Sequence, residues 1–332
     1  MPTITNFRFA RTLLLIAVFC CIQAVLWAAP LNIYYERVVT DYYGNVVGTQ
    51  KNRITSINDI PAGNPWRNFL IQQVAGEDLL TYSAEVAQYL SEPLNLTLSD
   101  KPLTSSSSKS GNGFEINLYK HVTQYSNESS SRFIFLHELG HVAMLNSYPS
   151  NYSFSGLDYG SDGTHYMDEI LPNQHTAWIE GWANAFAAFK NNGKVFTLDM
   201  RSDSIVAFLK GNTFEQMTRN ELFTGKMIYD ISSALPKGQD KAYDVLARTG
   251  PHNTIRDFIS AYVQLYPGDQ VAMAKLLDKN SQGEISQNEL LAYVNNGSSQ
   301  VTTSFYEYLT NRSSGTVVDG TGTTSTGSST TS

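Results

Sequence analysis

The chain is poor in cysteine and in charge, and has no surplus of positive charge. Its 332 residues include two cysteines, Cys20 and Cys21, adjacent to each other inside an apolar run. A disulfide framework is thereby excluded, so any core must hold without covalent staples. Charged residues make up 16% of the chain, and 30 acidic against 23 basic residues give a net charge of −7. That balance excludes a general nucleic-acid binder, which needs a basic stripe, and a polybasic grip on anionic lipid. Heptads and fixed-period repeats are also missing, which excludes coiled coils and solenoids. Aromatic residues are not scarce. With 19 Tyr, 16 Phe and 42% hydrophobic residues, the chain can bury one large core or two smaller ones.

The two ends read as something other than fold. Arg8 and Arg11 precede an apolar run from Leu13 to Trp27, and Ala28 and Ala29 follow. This is the charged start, apolar middle and small-residue end of a secretory signal over residues 1–29. The competing reading is an uncleaved anchor. Phe19 before Cys20 argues against a lipid-modified cysteine. The expected location is therefore secreted or periplasmic, with no stable membrane insertion once the signal is cleaved. Residues 313–332 are nearly all Ser, Thr and Gly and read as a disordered tail.

Between the ends, 31–55 alternates around Asp41-Tyr42-Tyr43-Gly44-Asn45 and predicts a hairpin. Helical spacing follows over 66–74 and 77–90, and Pro93 stops it. Residues 104–113 read as a Ser/Gly loop and 114–119 as a strand. Ser129 to Ser131 offer an N-cap to a helix over 132–145. A long irregular stretch, 148–172, leads to a strong helix over 176–190. From 202 to 294 helices alternate with breaks at Pro236, Gly250-Pro251 and Pro267-Gly268. A few strands followed by mostly helices predict an α+β fold. The segments expected are a β-rich part over 30–130, a catalytic helical part over 131–275, and a helix–loop–helix over 276–297.

Residues 137–141 read HELGH. His137 and His141 lie one helical turn apart and share a face, so both imidazoles can reach one Zn²⁺. Glu138 projects beside the pair, placed to take a proton from a zinc-activated water rather than to ligate. Phe133 to Leu136 and Leu139 make this helix apolar nearly all round, hence buried. Buried polar groups need partners. A pair of satisfied core histidines is the competing reading.

A catalytic zinc needs a third protein ligand and an open position. Met144 and Ser147 stand where the long-motif metalloproteases carry Gly and His, so the third ligand must come from further on. His165, Asp168, Glu169, His175 and Glu180 are available. Glu180 is favoured, in Trp178 to Phe189 (WIEGWANAFAAF), where Gly181 and Ala183 admit a close neighbour. Asn184 lies one turn on, placed to accept a ring N–H from a ligating histidine. His165 is the second choice.

HELGH followed by E-G-W-A-N resembles the gluzincin metallopeptidases, of which thermolysin is the type, over about residues 131–190. The resemblance implies a zincin-like catalytic domain hydrolysing peptide or protein substrates. It implies His137, His141 and Glu180 as zinc ligands, Glu138 as general base and Asn184 as the residue orienting a histidine. The chain departs from thermolysin in the 38 residues between His141 and Glu180 and in having Asn rather than Asp at 184. Tyr159, His165, Tyr166, Tyr229 and His252 are all chemically able to stabilise an oxyanion, and the sequence does not choose among them. A non-enzymatic surface protein with a structural metal, or a zinc hydrolase of a non-peptide substrate, are the alternatives.

A second motif runs from Asp278 to Glu289, DKNSQGEISQNE. Counted as a calcium loop, it offers Asp278, Asn280, Gln282, the carbonyl of Glu284, and Glu289, with Gly283 at the sharp turn. It resembles an EF-hand with few charges, and implies weak Ca²⁺ binding.

Overall fold

The computed structural model describes residues 31–75, 86–87, 90–124, 128–161, 163, 165–295 and 301–313. The signal reading over 1–29, the tail from 314 onward and most of the 77–90 helix lie outside these residues. Among the described residues, no helix is long and apolar enough to cross a membrane. The chain is α+β, with a small N-terminal sheet and a mostly helical remainder. Two compact units divide between Asn146 and Ser147.

The first unit is built on a five-stranded sheet of order β2-β1-β3-β5-β4. β1 (Leu31–Thr40) and β2 (Val46–Arg53) form the expected antiparallel hairpin, turning at Asp41, whose carboxylate accepts from the backbone N–H groups of Tyr43 and Asn45. β1 then pairs in parallel with β3 (Leu94–Ser99), and β3 with β5 (Gly113–Tyr119). β3 is buried along its whole length, as a strand flanked by parallel neighbours should be. Gly113 has φ +115°, and a Cβ there would meet the Pro93 carbonyl oxygen at 2.3 Å; only glycine lets β5 start against Pro93, the residue before β3.

One expectation is corrected here. The stretch 104–113 is not all loop, because Ser106–Ser110 forms β4, an antiparallel edge strand on β5. Serine has little strand preference of its own, and pairing with the apolar β5 overrides it. α1 (Pro65–Ala75) starts where the sequence places it. α2 (Glu128–Ser147) begins four residues before the expected start at 132, and carries the HELGH motif. Phe133, Phe135, Leu136, Leu139, Val142 and Met144 bury its apolar surface.

The second unit is helical. α3 (Gln174–Lys190) is capped by Asn173, whose side chain accepts from Thr176 N. A two-stranded ribbon follows, β6 (Lys194–Val195) with β7 (Leu198–Asp199). The helices are α4 (Phe214–Met217), α5 (Glu221–Ala234), α6 (Gly238–Thr249), α7 (Ile255–Leu265), α8 (Gln270–Asn280), α9 (Gln287–Asn295) and α10 (Thr303–Ser313). The breaks fall at Pro236, at the cis Gly250–Pro251 bond and at Pro267, as proline's missing N–H requires.

α3 and α5 are the central pair. Their contact is made through small residues. A Cβ at Gly181 would lie 2.6 Å from Thr224 Cβ and 2.9 Å from the backbone nitrogen of Gly225. The expectation that Gly181 admits a close neighbour therefore holds, and the neighbour is α5.

Candidate metal centre

On α2, within the first unit, the Nε2 atoms of His137 and His141 stand 3.1 Å apart, with ring centroids 4.7 Å apart and planes at 89°. Phe133, one turn earlier, packs against His137 at 5.7 Å. Glu138 and His141 are buried. Two nitrogens bound to a tetrahedral zinc at about 2.0–2.1 Å stand about 3.3 Å apart. The observed spacing is close to that, so the pair fits a shared Zn²⁺ in donor type and in separation. The helix dictates this: four residues bring side chains one above the other on one face.

In the second unit, Glu180 is 3% exposed in the middle of α3. The Tyr159 hydroxyl donates to its Oε1 at 2.7 Å. His165 stacks on Tyr159, centroids 4.9 Å apart, and its Nε2 lies 4.0 Å from Glu180 Oε2. On its other side, His165 Nδ1 lies 2.8 Å from Oε2 of Glu221, a carboxylate with 0% exposure in the first turn of α5. Burial alone disfavours the charged ring, but Glu221, with Glu180 and Glu169 beyond it, outweighs this and raises the His165 pKa to about 9.

The loop that carries His165 is strapped to the start of α5. The Asn220 amide donates to the carbonyls of Met167 and Glu169, at 2.9 and 2.8 Å, and Leu171 N donates to the Arg219 carbonyl. Asn220 also caps α5 by accepting from Phe223 N. One asparagine thus sets both the loop and the helix end.

Of the five proposed oxyanion donors, Tyr159 and His165 stand beside Glu180. Tyr166 is exposed, Tyr229 stacks on Phe189, and His252 is buried between Trp178 and Phe258. Asp168 is exposed, Glu169 accepts from Tyr166 N, and His175 lies in the first turn of α3. Asn184 is fully buried, its Cβ against Gly225. Sequence reasoning missed Glu221. Its only local signal is an acidic residue directly after an N-capping asparagine, a pattern common to many helix starts.

The residues of the expected calcium loop have other partners in this structure. Asp278 lies within α8, and its carboxylate is taken by the Arg312 guanidinium at 2.8–3.1 Å and by the Tyr308 hydroxyl. Arg312 also donates to the Ile285 carbonyl. The Asn280 amide donates to Asp230, and Gln282 donates to the Val206 carbonyl. Glu289 accepts from Ser286 N in a capping arrangement at the start of α9, and Glu284 is exposed. The Arg312 guanidinium neutralises the carboxylate at the first position of the loop.

A histidine pair spaced for one metal thus lies on a buried helix. Residues 102–327, about two thirds of the chain, match the family described as the mycolysin C-terminal domain, and the chain belongs to that family. Membership supports a protease-associated role, a metal cofactor and a peptide or protein substrate. No curated protein and no solved structure matches the chain.

Proposed function

We propose that the chain is an exported zinc metallopeptidase in which His137, His141 and Glu180 hold the metal and Glu138 is the general base. The observation that carries this reading is the facing pair of ring nitrogens on α2, 3.1 Å apart, with Glu138 buried beside them. Membership in the mycolysin C-terminal domain family supports it at the level of a metallopeptidase. When bound, zinc supplies Lewis acidity toward a water and a scissile carbonyl.

The remaining steps belong to the protein. The Glu138 carboxylate accepts the proton of the attacking water and delivers it to the nitrogen of the leaving amine. The Tyr159 hydroxyl holds Glu180 Oε1 and so fixes that carboxylate's orientation.

The test uses the full chain and its Glu138→Gln variant, with zinc content and cleavage of casein or a quenched peptide measured side by side. Zinc is expected in both. Cleavage is expected in the wild type and reduced about 10²–10⁴-fold in the variant. A variant as active as the wild type would overturn the role of Glu138. A wild type without zinc would overturn the whole reading.

A further inference from the structure

We propose that His165, Glu180 and Glu221 form a second site for a divalent transition metal of the zinc type, built wholly within the second unit. The site needs nothing from the histidine pair on α2, and so goes beyond the function proposed above.

One donor atom from each of the three lies within 4.8 Å of the others. Ligands of a single ion at about 2.0–2.2 Å each stand about 3.3–3.6 Å apart in a tetrahedral site, so small side-chain shifts would draw these three onto one ion. The strongest sign is the state of Glu221. It is 0% exposed, yet neither carboxylate oxygen makes an aligned hydrogen bond. His165 Nδ1 is only 2.8 Å from Oε2, and it too lacks an aligned hydrogen bond. At this separation the ring and the carboxylate are close enough to close on one ion, and no aligned N–H···O bond ties one to the other.

Charge points the same way. Glu221 is a fully buried carboxylate that faces the imidazole of His165. Among the described residues, Glu221 has no lysine or arginine partner. A buried carboxylate lacking full compensation is costly, and a divalent cation supplies the missing charge. One imidazole and two carboxylates suit zinc in donor type.

The site is also held in place. Glu180 comes from α3 and Glu221 from α5, locked together at Gly181 and Thr224. His165 comes from the loop tied to α5 by Asn220. Tyr159 occupies Glu180 Oε1, which leaves Oε2 on the side of His165. Three protein ligands and a position for water make an open site.

The experiment counts zinc bound per full chain after equilibration with micromolar free zinc and gel filtration. It compares wild type, Glu221→Gln, His165→Ala, and the His137→Ala/His141→Ala double variant, with near-UV dichroism confirming each fold. Two equivalents are expected in the wild type. One is expected in Glu221→Gln and in His165→Ala, and one in the histidine-pair variant. A wild type with one equivalent, lost in the histidine-pair variant and kept in Glu221→Gln and His165→Ala, overturns the second site and leaves the proposed function standing. One equivalent with the opposite pattern establishes the second site and overturns zinc on α2. One equivalent lost in every variant means a single ion and overturns the second site. Two equivalents that survive both Glu221→Gln and His165→Ala also overturn it, as does a wild type that binds no zinc.

Discussion

Gly181 and Thr224 meet so closely that a methyl group on Gly181 would sit 2.6 Å from both Thr224 Cβ and Cγ2. The contact fixes how near α3 comes to α5, and therefore how near Glu180 comes to Glu221. Gly181→Ala is expected to force the two helices apart and to cost about 1–3 kcal/mol by overpacking. In a unit of this size that lowers the melting temperature by about 2–4 °C per kcal/mol. Thermal unfolding of the variant checks it. An unchanged melting temperature would mean that the helices separate freely.

Lys226 is the most deeply buried cation of α5, 1% exposed, with Nζ 2.5 and 2.6 Å from the two oxygens of Asp230. Asp230 also accepts from the Asn280 amide at 3.0 Å. Lys226→Met leaves that buried carboxylate with the Asn280 amide and the more distant charge of Lys279, and is expected to cost about 3–5 kcal/mol. Lys226→Met/Asp230→Asn is expected to recover much of the loss, because the charge is gone and an amide oxygen still faces Asn280. Urea unfolding of both variants measures this. Equal losses in the single and double variants would show that the pair does not couple.

His252 lies buried between Trp178 and Phe258, and burial lowers its pKa below the ordinary 6.5, against the opposing pull of Asp257. The unfolded chain therefore takes up this proton at a higher pH than the folded one. The stability held by neutral His252 is complete above about pH 6.5 and is lost as pH falls toward the folded value. His252→Phe is expected to flatten the pH dependence between 7.5 and 5. Because His121 is also shifted downward by burial, the difference between wild type and variant is the readout. Parallel curves would exclude His252 as a source of acid lability.

Arg312 holds α10 to Asp278 and to the Ile285 carbonyl. The pair is partly exposed, so Arg312→Gln is expected to loosen α10 by roughly 1 kcal/mol. Hydrogen exchange of the amides over 303–313 reads this directly. Millimolar calcium is expected to leave the wild-type protection of α10 unchanged. A calcium-dependent gain would restore the loop as a cation site.

The parts of the molecule that were legible in the sequence are those fixed by local pattern. The hairpin at Asp41, the helix under HELGH and the proline breaks of the second unit all follow from a few neighbouring residues, and all are present. β4 was hidden because a run of serines becomes a strand only through β5 beside it. The partners of the motif from Asp278 to Glu289 were hidden for a related reason. Its spacing suits calcium, but α10, more than twenty residues further on, delivers an arginine to its first carboxylate. Glu221 was invisible because its neighbour His165 is fifty-six positions away in the sequence, and only the Asn220 strap brings the two together. Local rules see caps and faces; they do not see which distant side chain will arrive.

The sheet register has a consequence for the order of assembly. β1 is made early, and its hairpin partner follows within a few residues. Its other edge pairs with β3, so that Leu31 meets Leu94, at a sequence separation of 63. Until that segment has emerged, the inner edge of β1 is unpaired and can accept another strand. Closing the loop to β3 carries the entropy cost of a 63-residue separation. Chaperone dependence and misfolding during synthesis should therefore concentrate in that window of chain length, before residue 94 is free to pair.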